Sequence, residues 1–358
     1  VFTLLIITSK DMRTRNLFIA LTMMTATAAI TACSNDDNLE TVDLNKPIDL
    51  NLSIGQPGTN TRASVSNGSN TSIFATGEKI SLTVVTKAQT GDNTVAIDDK
   101  DATYRNTQTY TKPDTQSDIE WDGTFYWQNT SDTHSFYAYY PAQTDFPKKA
   151  DASYTYTHDF TLPTTGSNID YSDLAKLNEA NFMYVKKDSK ATNSTISLEL
   201  SHCMSQITFT VQKGDGYNTD KDMPTITKAE ILNDNGMYTT GTFSLSAGRV
   251  TANKSGATQQ AITPYKDTNT NTWYAIVFPE QTFDKSNNFI RFTTSDGTSG
   301  STTYTYKLES ALTCTANYSY NYTLKLNRGS VSLGGFSIAR WTPQSKNGNA
   351  GMDIPNNP

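Results

Sequence analysis

The stretch TISLELSHCMSQITFTVQ, residues 195–212, decides the fold. Ile196, Leu198 and Leu200 alternate with polar residues, and Ile207, Phe209 and Val211 do so again further on. A period of two sends alternate side chains to opposite faces of an extended chain, so the stretch reads as two half-buried strands. A kink around His202 joins them. His202 stands beside Ser201 and near Ser205, but nothing in its surroundings has the grammar of a catalytic triad, and it reads as a satisfied structural histidine.

Outward from this stretch the same pattern recurs. Toward the C-terminus, strands are expected at Ile226–Leu232, Tyr238–Leu245, Trp273–Phe278, Phe289–Thr293, Tyr304–Leu308, Tyr318–Leu326 and Val331–Ile338, with turn signals such as NDNG and SDGTSG between them. No strand–helix–strand alternation is visible, which points to antiparallel sandwiches. Toward the N-terminus, Ile80, Leu82 and Val84 alternate, and a short strand is expected around Thr103–Tyr110. In IEWDGTFYWQNTSDTHSFYAYYP, residues 119–141, Trp121, Phe125, Trp127, Phe136, Ala138 and Tyr140 fall on alternate positions within two runs separated by a polar turn. Such a stripe can stack sugars, but rings at strand spacing more often fill a core. One short helix is expected in DYSDLAKLNEANF, with Ser172 as its N-cap and Leu174 and Leu177 on one face. The stretch KKDSKATNS marks a seam near residue 190. The reading is an all-β chain of two tandem antiparallel β-sandwich domains, 63–192 and 193–358.

The front of the chain has a different character. Residues 1–32 form a signal peptide whose start lies at Met12, with Arg13 and Arg15 ahead of an apolar run from Leu17 to Ile30. That run is too short for a bilayer-spanning helix, which needs roughly 20 residues. Ile30, Thr31 and Ala32 precede Cys33 in the manner of a bacterial lipobox, where the cut falls before a cysteine that becomes acylated; a soluble protein cut after Ala32 is the alternative. Each buried acyl CH₂ holds the chain to the outer membrane by about 0.8 kcal/mol. A polar leader follows, and then PIDLNLSIGQPGTNTRASV, residues 47–65. Ile48, Leu50, Leu52 and Ile54 make one apolar strand face, tied to the body by a slack tether of Gly, Pro and Asn in which Arg62 is the one basic residue.

Composition and motif content bound the chemistry. The chain has 358 residues, 36% hydrophobic and only 18% charged, with 19 Tyr, a balance suited to half-solvated strands. The net charge of −6 and the lack of a basic cluster argue against nucleic acid. No nucleophile elbow, zinc-protease helix, phosphate loop or dinucleotide fingerprint is present, so neither an enzyme nor a cofactor is expected and no catalytic residue is assigned. The three His and the Cys spacing offer no metal-ligand pattern. Cys203 and Cys314 either pair as a disulfide or remain buried free thiols, and sequence leaves both open.

Several segments in order resemble one family. IFATGEKISL, FYWQNTSDTHSFYAYYP, SLELSHCMSQITFTV, YAIVFPEQTF and SIARWTP, behind a lipobox, resemble the fimbrillin-like lipoproteins of Bacteroidetes, and Ser34, Asn35, Asp36 and Asp37 look like the acidic surface-export signal of such lipoproteins. The resemblance implies two transthyretin-like sandwiches, a place on the cell surface in a fimbria, and adhesion to a host protein or glycan. It further implies partnership with other fimbrial subunits through strand exchange. On that pattern a protease cuts after Arg62, Ala63 becomes the new N-terminus, and the strand of Ile48, Leu50, Leu52 and Ile54 leaves a groove that a strand of another subunit fills. Residues 33–62 are then a lipidated leader with a removable first strand. Four buried aliphatic side chains would hold that strand by roughly 6–12 kcal/mol. Val331, Leu333, Phe336 and Ile338, with a phase slip at Gly334–Gly335, are either the donor strand or the last strand of their own sandwich. The chain therefore reads as a stalk, tip or anchor subunit. The alternative is a monomeric surface lipoprotein whose aromatics bind glycans.

Overall fold

Two alternating runs meet at the kink near His202, and each enters a different sheet. The computed structural model describes residues 41–54, 77–88, 91, 93–111, 124–144, 146–150, 153–256, 259–295, 297 and 300–341. The first sheet contains β1 (Leu50–Ile54), β2 (Lys79–Thr86), β3 (Tyr104–Thr111), β4 (His134–Tyr140), β5 (Met183–Ser189) and β6 (Ile196–His202). Their order across the sheet is β1-β6-β5-β4-β2-β3, so the first strand among the described residues lies at one end. β4 is buried along its whole length, and β2 everywhere but Lys79, because both faces of the sheet are covered. Ile80, Leu82, Val84, Phe136, Ala138 and Tyr140 face one apolar cluster, and Val85, Tyr137 and Tyr139 face a second, larger one.

The rest of the described chain builds β7 (Ser205–Lys213), β8 (Thr225–Met237), β9 (Gln259–Thr263), β10 (Tyr265–Asp267), β11 (Thr272–Val277), β12 (Asn288–Ser295), β13 (Ser301–Lys307), β14 (Tyr318–Asn327) and β15 (Ser330–Arg340). One sheet has the order β10-β11-β7-β14-β15, and another has β13-β12-β8-β9 followed by the short strands Asn168–Asp170 and Thr164–Thr165. Ring contacts such as Phe289 with Tyr322, at 5.0 Å, close the space between these sheets. The chain is all-β, in sandwiched sheets, as its alternation predicts.

The halves of the chain are interleaved. The strand Thr157–Thr161 pairs with Thr240–Ser244, and Asn168–Asp170 pairs with β9, so residues before the seam near 190 enter sheets built by the second half. β6 lies beyond that seam yet stays in the first sheet, and the crossing to the second runs through His202–Ser205. The larger cluster draws on both halves, and the described residues from Val42 onward belong to one compact unit. Most ladders are antiparallel, but β1 with β6, β7 with β14 and Asn168–Asp170 with β9 run parallel.

The expected helix is α1 (Leu174–Glu179). Its N-cap is Asp173 and not Ser172: the Asp173 carboxylate accepts the Lys176 N–H at 2.9 Å, satisfying one of the free donors of the first turn. Leu177 is buried and Leu174 packs partly against the larger core.

Candidate functional site

The first strand sits in a defined seat. Leu50, Leu52 and Ile54 stand opposite Ile196, Leu198 and Leu200 of β6, so apolar residues of both strands share one face. Ile48, Leu52 and Ile54 are 8%, 6% and 1% exposed, whereas Leu50 is only half-buried. Three side chains, and not the four expected from alternation, are therefore withdrawn from water. They meet Phe125, Trp127, Phe136, Ala138 and Met183 in the smaller cluster. Asp49 O accepts the Ile196 N–H at 2.8 Å, and the Thr195 hydroxyl donates to the Asp49 carboxylate. On the other side the Ile48 N–H donates to Phe125 O at 2.8 Å. A shallow recess bounded by Val42, Lys46, Pro47, Trp127 and Thr192 marks where the chain enters the seat.

Phe125 and Trp127 alternate as a strand would, yet their segment forms no ladder strand; it lies across the face of the first sheet. Trp127 is buried edge-on to His134 and Phe136, with ring centroids 5.0 and 5.8 Å apart, and its Nε1–H donates to Thr192 O at 3.2 Å. Phe136, Ala138 and Tyr140 are buried too. These rings are core, with no face turned to a sugar. Trp121 lies outside the described residues, as do the lipobox Ile30, Thr31 and Ala32, the lipidation residue Cys33, and the maturation pair Arg62 and Ala63.

The last strand among the described residues is the second feature. β15 pairs with β14 and ends its sheet. Leu326 stands opposite Val331, Leu324 opposite Leu333, Tyr322 opposite Phe336 and Tyr320 opposite Ile338, and Gly334 is left out of register as a bulge. That one extra residue keeps all four apolar side chains of β15 on the inner face despite the phase slip in sequence. Yet Phe336 and Ile338 are each 44% exposed. Phe336 rests on Tyr322, with centroids 4.6 Å apart, and its remaining surface meets water. An apolar end strand with exposed inner residues is a template for another chain.

The crossing between sheets carries the third feature. His202 Nδ1 lies 2.7 Å from Asn181 Oδ1, while Nε2 has no hydrogen-bond partner among the described residues. Burial holds the imidazole neutral, with its pKa lowered to about 3. Trp341, the residue after β15, lies flat against it: the ring planes are parallel and the centroids 3.8 Å apart. The Trp341 N–H donates to Asn317 O at 2.7 Å, and the Asn317 N–H donates to Met204 O at 2.9 Å. Trp341 carries no alternation signal, so periodicity alone does not find it. Nearby, Cys203 is a buried free thiol with its pKa raised to about 12 by burial, and Cys314 is likewise free and shifted the same way.

Comparison with known proteins adds the family. A sequence model of the family described as fimbrillin-like matches residues 61–341. No curated protein matches the chain. Among solved structures, a candidate cell adhesion protein from Bacteroides uniformis superposes with a TM-score of 0.56 at 17% identity, covering 83% of this chain and 99% of its own. Another from Bacteroides ovatus superposes with a TM-score of 0.55 at 18% identity, covering 84% and 99%. At such identities the likeness is one of fold.

Proposed function

Since the chain belongs to the fimbrillin-like family, we propose that it is a structural and adhesive subunit of cell-surface fimbriae, exported as a lipoprotein and assembled by exchange of its first strand. The observation that carries this reading is the seat of β1: an end strand among the described residues, laddered there in parallel to β6, whose buried side chains form part of a core. Burial of Ile48, Leu52 and Ile54 contributes roughly 5–9 kcal/mol. The whole margin of a typical domain is about 5–15 kcal/mol, so an empty seat must capture another strand.

In this reading Cys33 bears the lipid that holds the precursor at the outer membrane, and cleavage after Arg62 makes Ala63 the new terminus. β1 then departs, and the seat takes an alternating strand from a neighbouring subunit. β15 suits the donor part, because Val331, Leu333, Phe336 and Ile338 already share one face and two of them remain half in water. Glycan binding through the aromatic stripe has less support, since its described rings are buried.

Native full-length protein treated with an arginine-specific protease is expected to lose residues up to Arg62 and to form ladders that resist SDS. An Arg62→Ala chain stays monomeric under the same treatment. Wild-type protein that is cut after Arg62 yet remains monomeric, with residues 47–54 still bound, overturns the reading.

A further inference from the structure

β6 is fastened unevenly. Residues Ile196–Leu200 pair with β1, whereas the ladder to β5 consists of Met183 opposite His202 and Tyr184 opposite Ser201. With β1 gone, the described ladder holding β6 is reduced to its last two residues. One of these is His202, the residue on which Trp341 lies flat. Trp341 in turn closes β15, where Tyr318 opposite Arg340 is the final ladder pair, and its backbone is tied through Asn317 to Met204. The strand that seats β1 and β15 thus meet at one stacked pair.

We propose that His202 and Trp341 form a latch that keeps β15 in its home sheet for as long as β1 occupies its seat. Departure of β1 frees β6 to shift, the His202 ring moves with it, and the stack that pins the end of β15 is lost. The device orders the two halves of assembly, because a subunit becomes a donor only after becoming an acceptor. It rests on the proposed exchange of β1 and the donor part of β15. The coupling itself is a property of the monomer, and it can be measured where no polymer forms.

Hydrogen exchange followed by mass spectrometry on the full chain tests it. Ile54→Ala, which loosens β1 without cutting, is expected to speed exchange across residues 330–340 about tenfold. Trp341→Ala speeds exchange there and reciprocally in 196–202, and Ile54→Ala adds nothing further to 330–340 in that background. Trp341→Phe, which keeps an aromatic ring on His202, restores the response. Exchange in β8 stays unchanged throughout. Fully additive effects, no response at 330–340, or equal loosening of β8 each overturn the latch. A latch that responds as expected in a chain that never forms ladders refutes the exchange reading alone.

Discussion

His202 shows how one residue sets a condition on the fold. In the unfolded chain its imidazole returns to an ordinary pKa near 6.5, whereas in the fold burial lowers it to about 3. Between those values the unfolded chain holds the proton and the folded chain does not. The contribution is therefore complete above about pH 6.5 and is lost as pH falls toward 3, by at most about 1.4 kcal/mol per pH unit. His134 and His158 are pushed down by burial as well and act with the same sign. His202→Phe keeps a flat ring beneath Trp341 and has nothing to protonate. Its denaturation midpoint should fall less between pH 6.5 and pH 5 than that of the wild type. Equal slopes would mean that His202 takes up its proton without disturbing the fold. The sequence marks His202 as structural, but neither its stacking partner nor the depth of its burial is written in the neighbouring residues.

At the scale of elements, alternation finds many of the strands. It also marks Phe125 and Trp127, whose segment forms no ladder strand, and it misses β5, which runs into the polar stretch at 186–194. The expected strands at Phe289–Thr293, Tyr318–Leu326 and Val331–Ile338 became β12, β14 and β15 with ends moved by a few residues. Pairing was not legible, because a period of two says which face is buried and nothing about which strand lies alongside. The parallel ladder of β1 with β6 joins residues far apart in the chain, and no local pattern encodes it. β15 offers a test of register. Deleting Gly334 removes the bulge and the phase slip together and leaves Phe336 opposite Tyr322 and Ile338 opposite Tyr320, whereas inserting one residue after Gly335 carries Phe336 and Ile338 to the outer face. The insertion is expected to cost about 1–3 kcal/mol in chemical denaturation, since it places Ser337 opposite Tyr320, and the deletion is expected to cost less. An insertion chain whose stability is unchanged would place the apolar register of β15 outside what holds the fold.

The whole molecule is less divisible than its sequence suggests. The stretch at 186–194 has the composition of a linker, but strands on both sides of it share sheets and a core. A linker composition reports local polarity, whereas the division of a core is decided by pairings over long distances. Two thiols sit within this shared interior. In a Cys33→Ser chain, Cys203 and Cys314 should remain silent to a thiol reagent in the native state, and two equivalents should react after denaturation. Immediate reaction of either would mean that the interior opens readily, and no reaction after denaturation would mean a disulfide.

The parallel ladder of β1 with β6 also has a mechanical meaning. Tension on the chain ahead of Ile48 runs along the axis of β1, so the two strands are strained as the overlapped plates of a lap joint are. All five registered pairs resist together, where a hairpin peeled from its open end would yield one rung at a time. Tugging by the surroundings is therefore a poor way to extract the strand, and a cut in the tether behind it does not depend on force.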